Sequence, residues 1–120
     1  MIHKTIGEVV TLETMRRSDI PVNDRIYSIG ELREIITPIA RELGIKEVYL
    51  FGSYARGEAT EDSDVDILIG PEPINAFFGL GKLYYLLNEA LGKYLDIVSV
   101  DGNEEFVEKI RPELVKIYSE

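Results

Sequence analysis

The chain has 120 residues, which suits one domain able to form a single core without disulfides or a structural metal. It contains no cysteine and one histidine, His3, which excludes disulfide frameworks, thiol nucleophiles and zinc–thiolate sites and leaves no material for a histidine metal cluster or a Ser-His-Asp triad. Thirteen basic residues face 22 acidic ones, a net charge of -9. Direct nucleic-acid binding is therefore not expected, whereas divalent cations or a basic protein partner suit that charge.

The N-terminus, Met1 to Met15, mixes charged with apolar residues and has no continuous apolar core, so it does not read as a signal peptide. No stretch approaches the length of a membrane span, and a soluble cytoplasmic protein is the expectation. Residues 1–27 read as an accessory segment, with β-favouring residues from Val9 to Leu12 and a turn-like stretch from Ser18 to Asp24. A short strand or hairpin is expected there, and residues 28–120 form the main domain.

Ser28 and Glu31 have capping-box spacing. Ile29, Leu32, Ile35, Ile36, Ile39, Ala40 and Leu43 follow at helical intervals, and Gly44 is placed to end the helix. Pro38, inside the pattern, is expected to kink or locally break it. Val48 to Phe51 is a continuous apolar run suited to a central strand buried on both faces. Gly52 to Gly57 then makes a strand-to-helix turn with a short helix. Val65, Ile67 and Ile69 alternate with Asp64, Asp66 and Leu68, which predicts a strand that Gly70-Pro71 ends. Residues 74–91 read as a helix with Leu80, Leu83, Tyr84, Leu87 and Leu91 on one side. Tyr94 to Val100 reads as the third strand, closed by Asp101-Gly102. Asn103 is placed to cap a last helix running to about Tyr118, with Phe106, Val107, Ile110, Leu114 and Ile117 as its apolar positions. The order predicts an α/β fold, a small sheet with helices packed on it.

The chemistry concentrates between Phe51 and Ile69. Asp64 and Asp66 lie two apart on a strand, so their side chains share one face. Two neighbouring carboxylates repel unless a cation compensates them, and Mg²⁺ takes oxygen ligands of this kind. Gly52-Ser53 opens a helix, where backbone N–H groups and the helix dipole favour an anion and glycine allows close approach. A phosphate cradle beside a metal-binding carboxylate pair is equipment for phosphoryl or nucleotidyl transfer. Asp96, the acid within the third apolar strand, is the candidate third carboxylate. Taken alone, Gly52-Ser53 is also compatible with an ordinary serine-capped turn, and Asp96 with a partly exposed strand acid. Arg56 can reach a phosphate or brace the turn by pairing with a carboxylate. Glu58, Glu61 and Asp62 read as a solvated loop.

Gly52-Ser53, ten intervening residues and Asp64-Val65-Asp66 resemble the G-S-x10-D-x-D signature of the DNA polymerase beta-like nucleotidyltransferases. The fuller strings Gly52-Ser53-Tyr54-Ala55-Arg56-Gly57 and Ser63-Asp64-Val65-Asp66 look like those of the minimal nucleotidyltransferases, antitoxin-type partners of HEPN-domain toxins. The resemblance covers residues 28–118 and implies the polymerase-beta-like fold, a small mixed sheet with packed helices. It implies that Gly52 and Ser53 bind nucleotide phosphates, with Arg56 beside them, and that Asp64, Asp66 and Asp96 hold Mg²⁺. It further implies transfer of NMP, AMP from ATP, to a tyrosine hydroxyl of a HEPN toxin. Larger members of the superfamily carry a second domain, so the partner protein or a second copy is expected to complete the site. Two other readings remain open: a non-catalytic nucleotide-binding antitoxin that acts by docking, and a nucleotidyltransferase acting on a small molecule or an RNA end.

Overall fold

The computed structural model describes residues 22–71 and 79–120. The strand or hairpin expected before residue 22, and the helix start expected at 74–78, lie outside the described residues. Helix α1 spans Ile29–Glu42 and leads into β1, Glu47–Phe51. The short α2, Gly52–Arg56, follows without a linker, and β2 is Val65–Gly70. After α3, Gly79–Leu91, come β3, Leu95–Ser99, and α4, Glu104–Ile110. A 3₁₀ turn, Arg111–Glu113, then leads into β4, Val115–Ser119.

The start of α1 is fixed by a reciprocal cap. Ser28 Oγ accepts from the Glu31 backbone N–H at 3.0 Å, and Glu31 Oε1 accepts from the Ser28 N–H at 2.8 Å. Pro38 does not break the helix, and α1 runs through it. Its ring lies on the exposed side, where the carbonyl of Glu34, which lost its partner, is open to water.

The sheet order is β3-β2-β1-β4, with β2 and β3 parallel and the other two pairs antiparallel. One face is covered by α1 and α3. Leu32, Ile36 and Ala40 of α1 and Leu83, Leu87 and Leu91 of α3 pack on Val48, Leu50, Val65, Ile67, Ile69, Leu95 and Ile117. Each such Leu, Ile or Val contributes roughly 1.5–3 kcal/mol through its removal from water. The opposite face carries a smaller cluster, in which Phe51, Leu68 and Val107 pack with Tyr49, Val98, Val100, Ile110 and Leu114. Strand β1 is thus covered on both sides, as its continuous apolar run predicts. No described helix is long and apolar enough to cross a membrane.

The C-terminus differs from the expectation of one helix to Tyr118. Helix α4 stops at Ile110, because Pro112 has no N–H to continue it, and the chain tightens into the 3₁₀ turn. The last residues pair as β4 along the free edge of β1 and bury Ile117 in the main core. Asn103 also differs. It occupies the cap position but makes no side-chain cap bond, and its Nδ2 instead donates to the Ser99 carbonyl at 2.9 Å.

Residues just ahead of α1 are tied to the turn between α3 and β3. Tyr27 is buried, and its hydroxyl donates to the Leu91 carbonyl at 2.5 Å. The Asn23 backbone N–H donates to the Gly92 carbonyl at 2.8 Å, and its Nδ2 to the Leu91 carbonyl at 3.0 Å.

Candidate active site

The parallel pairing of β2 with β3 sets Asp66 opposite Asp96 in register. In-register residues of neighbouring strands point to the same face, so the two carboxylates stand side by side on the face of Leu68 and Val98. Asp64 lies one residue before β2 begins, two before Asp66, and is partly buried. On the other flank the antiparallel register places Phe51 opposite Asp66. Gly52, the next residue, is therefore delivered directly to the Asp66 side chain.

Gly52 has a φ of +75°, a conformation that side chains strain to adopt. A Cβ built there would lie 2.1 Å from Asp66 Oδ2. Glycine at this position allows the close approach of a phosphate. The geometry adds a second reason, because the space beside its Cα is filled by a carboxylate of the same site. Ser53 follows in the first turn of α2, and Tyr54 beyond it is buried in the main core, which anchors the turn.

Arg56 pairs with two carboxylates. Its Nε donates to Glu58 Oε1 at 2.9 Å and its Nη1 to Glu113 Oε1 at 3.1 Å. Of the two roles open to Arg56, bracing the turn is the one seen in this state. The other oxygen of Glu113, Oε2, accepts from the Gly52 backbone N–H at 2.7 Å. That N–H, with help from Arg56, holds the Glu113 carboxyl below its ordinary value against the opposing effect of burial.

Asp66 is shifted the other way. Burial, then the charges of Asp96 and Asp64, push its carboxyl from 3.8 up to about 6; Glu113 adds to this and Arg56 opposes it. A site that raises a carboxyl in this manner favours a compensating cation. The donors are all oxygens, a set that suits Mg²⁺, which characteristically takes one or two protein carboxylates and completes its shell with water and substrate phosphates. Asp66 and Asp96 fit that requirement, with Asp64 beside them. Among the described residues no three His, Cys, Asp or Glu side chains are gathered tightly enough to hold an ion by themselves. The three aspartates share one end of two adjacent strands, but they do not close into a three-ligand cluster.

Two residues of this region escaped the sequence argument. Glu113 was hidden in the expected last helix, although Pro112 beside it signals a break. Lys93 is 2% exposed, and its Nζ donates to the Asn23 carbonyl at 2.9 Å and the Glu61 carbonyl at 2.8 Å. It ties the loop that leads into Asp64 to the start of β3, and no local sequence pattern announces such a contact.

The description of the nucleotidyltransferase domain family matches residues 32–120. The chain belongs to this family. The protein adenylyltransferase MntA of Thermococcus cleftensis is 41% identical to it over 77 residues, covering 61% of this chain and 78% of that protein. A candidate protein adenylyltransferase of Methanocaldococcus jannaschii, MJ0435, is 40% identical over 75 residues, covering 62% and 81%. Among solved structures, a candidate minimal nucleotidyltransferase superposes with a TM-score of 0.64 at 33% identity, over 74% of this chain and 95% of that one. A toxin–antitoxin complex with AMP-PNP shares the fold, with a TM-score of 0.63 at 21% identity over 73% of each chain. The mixed four-stranded sheet is thus the nucleotidyltransferase fold, and Gly52-Ser53, Asp64 and Asp66 fall within the matched region.

Proposed function

We propose that this nucleotidyltransferase transfers AMP from ATP to a tyrosine hydroxyl of a HEPN-type toxin and acts as its antitoxin. The observation that carries the reading is the in-register pair Asp66 and Asp96, standing next to the Gly52 turn. Support for the acceptor comes from the relatives, of which one bears the name protein adenylyltransferase and solved neighbours are toxin–antitoxin complexes.

In this reading the backbone of Gly52 and the Ser53 hydroxyl bind the triphosphate. Asp64, Asp66 and Asp96 are the residues that would hold Mg²⁺, which when bound neutralises charge on the phosphates. Asp96, the most exposed of the three, faces the acceptor and takes the proton of the attacking hydroxyl. The oxygen–phosphorus bond to the α-phosphate forms, the bond from the α-phosphorus to the bridging oxygen breaks, and pyrophosphate leaves. Positioning supplies most of the acceleration, because the acceptor oxygen is held close to the phosphorus. The chain's acidity suits a partner with a basic surface around the acceptor.

The test is to incubate the protein with ATP, Mg²⁺ and the product of the neighbouring gene and to weigh that product by mass spectrometry. A gain of one or more AMP units on a tyrosine, lost in Asp66→Asn, is the expected result. Inhibition of the partner that survives Asp66→Asn with no mass change would replace this reading with neutralisation by docking.

A further inference from the structure

The groups assigned to the nucleotide's phosphates already hold an anion supplied by the chain itself. Glu113 Oε2 lies 2.7 Å from the Gly52 backbone nitrogen, and Oε1 lies 3.1 Å from Arg56 Nη1. Both oxygens of one carboxylate are thus engaged by a main-chain donor and a guanidinium, the two kinds of donor that recognise phosphate. Hydrogen bonds to an ionised acceptor are among the stronger ones, so an incoming phosphate must compete for them. Glu113 also brings a fourth negative charge to the side of the turn where Asp64, Asp66 and Asp96 stand, and it contributes to the upward shift of Asp66. Its backbone belongs to the 3₁₀ turn, which is a separate element from the strands that carry the aspartates. The side chain is 27% exposed, so rotation about its own bonds can take the carboxylate to water without moving the sheet.

We propose that Glu113 is an internal competitor of the nucleotide: its carboxylate occupies the Gly52–Arg56 phosphate position in the resting protein, and ATP binds by displacing it. The inference rests on the nucleotidyltransferase reading above and adds to it a residue that sets nucleotide affinity. Displacement frees Arg56 from one of its two carboxylates, so the same movement that vacates the Gly52 N–H releases a guanidinium to the phosphate. Arg56 is then a brace in the resting state and a phosphate ligand in the loaded state. Nucleotide is held back until its phosphates outbid a tethered carboxylate, which restrains ATP binding by the unpartnered protein.

The experiment is calorimetric titration of the full chain with α,β-methylene-ATP, which cannot be cleaved at the reacting bond, in the presence of Mg²⁺. Glu113→Ala should bind it about three- to tenfold more tightly than the wild type, the gain expected from removing competition for a net hydrogen bond or two. Glu113→Gln, which keeps the acceptor but not the charge, should fall between. Weaker binding by Glu113→Ala, with Glu113→Gln close to the wild type, would show that Glu113 braces the turn for the nucleotide, and would overturn the proposal. Failure of the wild type itself to bind would remove the nucleotide site and the proposal together. A measurement on the unmutated protein guards against a variant that does not fold. With carboxyl-labelled glutamate, the Glu113 NMR signal should move as the analogue is added, in step with the Gly52 amide. An amide that moves while the carboxyl stays fixed would also overturn it.

Discussion

Replacing Gly52 by alanine separates the backbone role of this glycine from its role beside Asp66, provided Gly57→Ala is measured with it. Both residues have left-handed backbones, with φ of +75° and +74°. A side chain at either position costs about 1–2 kcal/mol of backbone strain, which lowers the melting temperature of a domain this size by roughly 3–8 °C. The surroundings differ. A Cβ at Gly57 meets nothing within 4 Å, whereas at Gly52 it would sit 2.1 Å from Asp66 Oδ2. Restoring the 3.4 Å of an ordinary contact requires the Asp66 carboxylate to move by about 1.3 Å. On the proposed reading, in which Asp66 helps position the reacting phosphate, misplacement on that scale costs on the order of a hundredfold in rate, about 2.7 kcal/mol in the barrier. The assay is AMP transfer to the partner at saturating ATP, alongside thermal melts of both variants. Gly57→Ala should lose stability and keep its rate, while Gly52→Ala should lose at least as much stability and roughly a hundredfold in rate. A Gly52→Ala protein as active as Gly57→Ala would refute the claim that Gly52 exists to admit the Asp66 carboxylate.

Asp66 also predicts a pH dependence. Its carboxyl is raised to about 6 in the folded state, so the fold binds this proton more tightly than the unfolded chain does. Stability of the metal-free protein should therefore fall as pH rises from about 4 through 6, and Asp66→Asn should flatten that part of a melting-temperature profile recorded in chelator. An identical slope in the variant would assign the dependence to another group. Lys93→Met leaves the Asn23 and Glu61 carbonyls without their shared donor and should destabilise the protein by about 2–3 kcal/mol in urea denaturation. A midpoint unchanged from the wild type would show that the ammonium contributes no net stability. Ser28→Ala should cost about 1 kcal/mol by removing the side-chain half of the α1 cap, and an unchanged melting temperature would contradict the cap's role.

What the sequence disclosed was whatever is local along the chain. The capping box at Ser28 and Glu31, the alternation of Val65, Ile67 and Ile69, and the spacing from Gly52 to Asp66 each depend on residues within about a dozen positions. Asp96 was legible for a different reason, as an acid set within an apolar strand, and the parallel register then brings it to Asp66. The C-terminal strand was missed because Ile110, Leu114 and Ile117 satisfy a helical interval as well as a strand can, and the free edge of β1 decides between them. Pro112 was the local clue. Pro38 pointed the other way, since its effect depends on whether the orphaned carbonyl meets water, which is a property of the packed helix. Glu113 is separated from Gly52 and Arg56 by 61 and 57 positions, and the carbonyls that Lys93 holds lie 32 or more positions from it, so no window of sequence contains these contacts.

The most direct test of the proposed metal site is the binding of Mn²⁺, a spectroscopically visible stand-in for Mg²⁺, followed by electron paramagnetic resonance with α,β-methylene-ATP present. The wild type should bind the ion in a nucleotide-dependent manner, and Asp64→Asn, Asp66→Asn and Asp96→Asn should each weaken it at least tenfold while remaining folded. Wild-type affinity in Asp96→Asn would contradict the account, because it would leave the carboxylate beside Asp66 on the neighbouring strand with no part in the site.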